Sequence, residues 1–294
     1  MSKFFYFLKL IRLNNLLLIA LTQGLVQFFI LEEDIVSNFV LLLLVTFFIS
    51  ASGYIINDIF DVKSDRINKK YLIIGNYISA RNAIFWYYLF SSIAIILAIY
   101  LLYLNKDFYL FIIFLSSVWI LWWYSKRYKH SFIIGNFIVS LLTSLCVFNV
   151  FLVNVNDDSN DSFILILMFS VFSFLLTFAR EIIKDLEDVE GDKLMNSQNI
   201  ASTLSVTQSK QIVTGILTLF LFLILIVCYY FLIEITSPKS ISIFVYSLLL
   251  FIISLFSIFK VSKSEKNEDY SYISNLLKLI MLLGVLSIPI VYYI

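Results

Sequence analysis

Nine apolar stretches dominate this sequence, at residues 14–31, 38–57, 82–104, 108–124, 132–153, 163–183, 211–233, 240–259 and 274–294. Each is close to the roughly 20 residues that a helix needs to cross about 30 Å of hydrocarbon. The expected fold is therefore all-α: a polytopic membrane protein of nine transmembrane helices, forming a single domain over residues 1–294. Composition agrees, since 61% of residues are hydrophobic and only 14% charged, against about 25% charged in soluble domains.

Lys3, Lys9 and Arg12 precede the first stretch, but no small-residue cleavage site follows it, so the first span is expected to stay in the mature protein. Lys and Arg crowd alternate loops. One side carries Lys63, Arg66, Lys69, Lys70, Arg81, Lys126, Arg127, Lys129, Arg180, Lys184, Lys193, Lys210, Lys260, Lys263 and Lys266, with Lys278 just inside the last span. The other side carries Lys106 and Lys239, with Glu32-Glu33-Asp34 and Asp157-Asp158. Basic loops are retained in the cytoplasm, which places the N-terminus on that face and the C-terminus opposite. A net charge of +1 gives no sign of a nucleic-acid partner; the surrounding partner is membrane lipid. Cys146 and Cys228 fall in different spans and read as small buried hydrophobes.

Against this apolar background an acidic cassette is written twice. Asp58-x-x-Asp61-x-x-x-Asp65 recurs 127 positions later as Asp185-x-x-Asp188-x-x-x-Asp192, and the windows 57–65 and 184–192 share their three Asp and one Val. Both copies lie on the predicted cytoplasmic face. At about 100° per residue, Asn57, Asp58, Asp61 and Asp65 fall on one face if the second span continues helically through them. Asp185, Asp188 and Asp192 repeat the pattern, with Gly191 a candidate helix end before the last of them. Carboxylates this close repel unless a hard cation relieves them, and Mg²⁺ suits oxygen ligands that leave room for water and phosphate.

Basic residues thread the same regions: Arg66 and Lys69 after the first cassette, Arg180 and Lys184 around the second, Lys126 and Lys129 in the next cytoplasmic loop. Mg²⁺, Arg and Lys together can hold a diphosphate and stabilise the charge it acquires on leaving. An allylic ester would then yield a carbocation, protected by an apolar interior. His130, the only histidine, is expected to be an exposed interfacial residue, and Trp119, Trp122, Trp123 and Tyr124 a headgroup-level belt.

These residues resemble the UbiA superfamily of intramembrane prenyltransferases over nearly the whole chain. The resemblance implies nine helices in a UbiA-like bundle with a cytoplasm-facing active site. It carries Mg²⁺ and prenyl diphosphate binding onto Asn57, Asp61, Asp65, Asp188 and Asp192, with Asp58 and Asp185 in support. Arg12 and Asn15 match the family's R-P-x-N-like start of helix one, with Leu13 in place of Pro. The stretch from Arg180 to Asp192, together with Ser125-Lys126 and Ile134-Gly135-Asn136, is most similar to the branch that prenylates geranylgeranylglyceryl phosphate. Two departures stand out. Lys70-Tyr71-Leu72-Ile73 replaces a Pro-basic continuation, and Asn196, Asn199, Ile200, Ala201 and Ser205 replace a G-x-x-T-L-P-x-x-x-G pattern.

The resulting expectation is Mg²⁺-dependent transfer of a prenyl group, geranylgeranyl on the branch resemblance, to a lipid acceptor held by Lys126, Lys129 or Arg180. An aromatic quinone precursor is the alternative acceptor. From another class, a cation transporter would use the duplicated carboxylates as an ion path, although both cassettes sit at span ends rather than at the midplane.

Overall fold

A computed structural model describes residues 3–31, 37–67, 71–154, 160–194, 197–233 and 238–293. Twelve α-helices follow in order: α1 Lys3–Leu10, α2 Leu13–Phe29, α3 Ser37–Ile67, α4 Ala80–Asn105, α5 Phe108–Lys126, α6 Ile134–Val153, α7 Asn160–Glu187, α8 Val189–Leu194, α9 Ile200–Thr203, α10 Val206–Ile233, α11 Pro238–Lys263 and α12 Asn267–Tyr293. Eight are long and apolar enough to cross a membrane, and α1 with α2 makes a ninth if the bent pair is one span. Their lengths follow from the apolar runs, because a helix in lipid must satisfy every backbone group internally.

Two of the long helices extend well past the apolar stretches that hydropathy marks. Helix α3 continues to Ile67, so the whole first cassette is helical, as the one-face reading requires. Helix α12 already begins at Asn267, where Glu268 and Asp269 occupy its first turn and suit the positive end of the helix dipole. The first span is not one straight helix. Arg12 takes the left-handed conformation (φ 51°, ψ 53°) between α1 and α2, and the two helices meet at 53°.

Three apolar clusters hold the bundle. One joins α7, α10, α11 and α12 around Ile182, Leu217 and Leu277. A second joins α2 to α7 around Val26, Leu42 and Val150. The third packs Leu10 and Leu16 against Ile55 and Phe90 beside the first cassette. Helix α12 contacts both α2 and α7, so the last span touches the first.

Candidate active site

The first cassette occupies the last turns of α3. Asp61 is buried, with 5% of its surface exposed, and the Asn57 amide donates to its Oδ2 at 2.7 Å. Lys129 forms an ion pair with the same oxygen. Asn57 Oδ1 is buried among neighbours that offer it no hydrogen bond. Asp58 points elsewhere, to an ion pair with Arg12 at 2.9 Å, and the Arg12 guanidinium also lies 5.0 Å from the Tyr54 ring centre. Asp65 is half-buried, and Arg66 is exposed at the end of α3. Lys69 lies outside the described residues.

The second cassette straddles a break. Helix α7 stops at Glu187, Asp188 forms the turn, and α8 carries Asp192. The interruption therefore falls at Asp188 and not at Gly191, which sits inside α8. Asp185 accepts a 2.7 Å hydrogen bond from Asn136 at the start of α6. Asp192, 7% exposed, accepts one from Asn199 at 2.6 Å. The Asn199 Oδ1 meanwhile accepts from the Ser202 backbone N–H at 2.8 Å, capping α9. The departure from the family's loop pattern thus supplies a residue that holds the second cassette in place.

Lys129 pairs with the first cassette and lies within the field of Asp192 of the second. It sits on a 3-10 turn, Tyr128–His130, between α5 and α6. Burial disfavours its charge, yet Asp61, Asp65 and Asp192 outweigh that effect and hold the ammonium above its ordinary range. Burial likewise raises the Asp192 carboxyl, against the opposing pull of Asn199 and Lys129. Gly135 makes the position of the turn possible: a Cβ there would stand 2.7 Å from the Tyr128 carbonyl oxygen. His130 is half-buried rather than an exposed interfacial residue. Its Nδ1 lies 3.1 Å from Ser197 Oγ and its carbonyl accepts from the Gln198 N–H at 2.9 Å, fastening this turn to the segment after α8.

The remaining basic candidates separate. Arg180 and Lys184 share the Glu181 carboxylate at 3.2 and 2.7 Å. Asn15 accepts from Lys278 Nζ at 2.6 Å, across 263 positions. Lys126 is exposed and rests over Trp122, 4.5 Å from its ring centre. Trp119, 60% exposed, fits a headgroup belt, but Tyr124 is half-buried and lies within electrostatic reach of Glu181, Asp61, Asp185 and Arg12. Sequence reasoning missed Lys278, Glu181, Asn199 and Tyr124 as site residues. For Lys278 a signal existed, since a charge inside a span is a functional hypothesis by default.

Residues 17–283 match the UbiA prenyltransferase family. The chain belongs to that family. As a UbiA prenyltransferase it is similar to the digeranylgeranylglyceryl phosphate synthase of Saccharolobus solfataricus, 32% identical over 219 residues that cover 73% of this chain and 74% of the relative. The Methanocaldococcus jannaschii protein of the same name is 36% identical over 197 residues, covering 66% of this chain and 65% of the relative. Among solved structures, one of a digeranylgeranylglyceryl phosphate synthase superposes with a TM-score of 0.68 at 26% identity, over 99% of both chains. A UbiA homologue from Archaeoglobus fulgidus bound to GPP and Mg²⁺ shares the fold, with a TM-score of 0.64 at 19% identity, over 98% of this chain and 100% of that one.

Proposed function

We propose that this prenyltransferase moves a geranylgeranyl group from its diphosphate to the hydroxyl of a glycerol-phosphate lipid, such as geranylgeranylglyceryl phosphate, releasing diphosphate. The observation that carries the reading is Lys129, whose ammonium lies in the field of Asp61, Asp65 and Asp192 and so ties both cassettes to one locus. Curated relatives named for the same reaction support the substrate class. The A. fulgidus homologue bound to GPP and Mg²⁺ supports a metal-bound donor. Loop charge supports a cytoplasmic active site and N-terminus, in a single domain.

The donor set suits Mg²⁺. Asp61, Asp65, Asp188 and Asp192 offer hard oxygens, and the buried Asn57 Oδ1 has no other partner. Among the described residues no three His, Cys, Asp or Glu stand close enough to hold a metal ion by themselves, so an ion here would depend on one or two carboxylates and on oxygens brought by the substrate. When bound there, Mg²⁺ would neutralise diphosphate charge and improve it as a leaving group.

The chain's own residues supply the rest. Lys129 holds positive charge where the electron pair of the breaking allylic C–O bond collects. Asn57 and Asn199 orient Asp61 and Asp192 through their amides. A cleft of about 1300 Å³, open mouth included, runs between α2, α6, α7, α10, α11 and α12 and is walled by residues such as Ile19, Phe172, Leu176, Phe220 and Ile280. Its apolar walls suit an isoprenoid tail and exclude water from the allylic cation. The acceptor oxygen then forms the new C–O bond to the allylic carbon, and its hydroxyl proton passes to the released diphosphate.

The test is transfer by purified protein in detergent, given radiolabelled geranylgeranyl diphosphate, Mg²⁺ and either geranylgeranylglyceryl phosphate or an aromatic quinone precursor. Label is expected in the lipid product and not in Asp61→Ala. Label in the aromatic product alone would reassign the acceptor, and wild type indistinguishable from Asp61→Ala with every acceptor would sink the reading.

A further inference from the structure

Four cations converge from two helices and the break before α2. Arg12 lies at that break, Arg180 and Lys184 on α7, and Lys278 on α12, where its Nζ donates to Asn15 of α2 at 2.6 Å. Lys278 is within electrostatic reach of Arg180 and Arg12, and Lys184 of Glu181, Arg180 and Arg12. Two carboxylates are bonded to this group among the described residues: Asp58 on Arg12, and Glu181 shared by Arg180 and Lys184. Counting only these bonded pairs, four cations face two carboxylates, with Asp61 also acting on Arg12 from the first cassette. Asn15, which receives Lys278, is neutral. Arg180 Nε is buried with no hydrogen-bond partner among the described residues.

Such an excess at the edge of a membrane span is costly without an anion. The anion that matches it carries about two negative charges and several acceptor oxygens, as a phosphomonoester does. Arg12 bonds to Asp58 of the first cassette, but the other three cations make their bonds away from the carboxylates around Lys129. Lys129 faces Asp61, Asp65 and Asp192, whereas Lys278, Arg180 and Lys184 bond to Asn15 and Glu181. Donor and acceptor phosphates would then sit in separate sockets, which keeps two strongly anionic groups apart while their reacting carbons and oxygens meet. Helix α12 also walls the apolar cleft through Ile280, Met281 and Gly284, just beyond Lys278.

We infer that Lys278, with Arg180 and Lys184, forms an anion socket for the phosphate of the acceptor lipid, distinct from the site of the donor diphosphate. The inference rests on the proposed lipid acceptor and makes Lys278 a substrate-binding residue on the last span. A helix clip between α2 and α12 would use the same Lys278–Asn15 bond without touching substrate, so the experiment separates the two.

Equilibrium binding of ³²P-labelled geranylgeranylglyceryl phosphate to detergent-solubilised protein, without donor, is compared for wild type, Lys278→Met, Lys278→Arg and Asp61→Ala. Unlabelled geranylgeranylglycerol, which lacks the phosphate, serves as competitor. Lys278→Met is expected to weaken binding of the phosphorylated lipid at least about tenfold, or 1.4 kcal/mol, with Lys278→Arg restoring most of it. Competition by the phosphate-free lipid and the KM for geranylgeranyl diphosphate should stay unchanged. Binding equal to wild type in Lys278→Met, equal losses for both lipids, a rise confined to the donor KM, or no binding to wild type would each overturn the socket. Wild-type binding that depends on Lys278 without any transfer would uphold the socket while defeating the proposed reaction.

Discussion

Asn136 donates a 2.7 Å hydrogen bond to Asp185, and this gives the first carboxylate of the second cassette the same role that Arg12 gives Asp58 in the first. Each tether reaches back to the start of the preceding span, across 49 and 46 positions respectively. The first Asp of each copy is thus tied to a neighbouring helix, whereas Asp61, Asp65 and Asp192 act on Lys129. Asp185→Asn should keep the tether, with kcat/KM reduced by no more than about tenfold. Asp185→Leu, which strands the Asn136 amide, should lower stability by about 1–3 kcal/mol, read as the midpoint of thermal unfolding in detergent. Asp61→Ala strands Asn57 and Lys129, and Asp192→Ala strands Asn199, so both should lower that midpoint too; unlike Asp185→Asn, they should also lose at least about a hundredfold in kcat/KM.

Lys129→Ala removes the cation from Asp61, whose side chain is only 6% exposed, and from the place where leaving-group charge develops. The expected signature is a KM for geranylgeranyl diphosphate raised about tenfold or more and a lower kcat, while affinity for the phosphorylated acceptor is retained. An acceptor affinity that falls as far as the donor's would contradict the separation of the two phosphate sites.

Gly135→Ala tests how the turn is seated. Its methyl would meet the Tyr128 carbonyl at 2.7 Å and the Lys129 Cα at 3.0 Å, both backbone atoms that cannot swing aside. Overpacking of this kind costs about 1–3 kcal/mol. The donor KM should rise as it does in Lys129→Ala, although the substituted residue contacts no substrate; a wild-type donor KM would mean the turn can shift without moving Lys129.

Metal removal should abolish transfer, and return of Mg²⁺ should restore it, because the available donors are carboxylates and an amide oxygen. Mn²⁺ should substitute, being another cation suited to oxygen ligands. Activity unaffected by exhaustive chelation would show that Lys129 and its neighbours suffice to hold the diphosphate.

Gly284 lines the cleft, and a Cβ added there meets nothing within 4 Å. Gly284→Leu should therefore project into the tail space and favour shorter donors. The ratio of kcat/KM for geranyl over geranylgeranyl diphosphate is expected to rise by at least about tenfold, in keeping with 1–3 kcal/mol per misfitted methylene.

Much of this was readable from residue order alone. Hydropathy located every long span because lipid leaves the backbone no alternative to the helix, and the periodicity of 57–65 put its carboxylates on one face because an α-helix repeats every 3.6 residues. The cassettes, Lys129, Arg180 and Lys184 stood out as chemistry in an apolar text. Less visible were the breaks. The bend at Arg12 depends on one residue taking a left-handed backbone, at a cost of roughly 1–2 kcal/mol, beside its ion pair with Asp58. His130 looked like an exposed loop residue because Ser197, its partner, lies 67 positions away.

The sequence by itself determined the class of protein, the membrane-spanning helices and the oxygen-rich chemistry of the doubled cassette, since all of these follow from side-chain type and short-range spacing. Tertiary structure alone decided how the charges are divided. Asp58 and Asp185 are tied off by Arg12 and Asn136, Lys129 pairs with Asp61 within the field of Asp192, and Lys278 reaches Asn15 from the far end of the chain. Those pairings depend on which helix ends are packed side by side. Electrostatic and hydrogen-bond energies act across distance in space, which separation along the chain does not reveal.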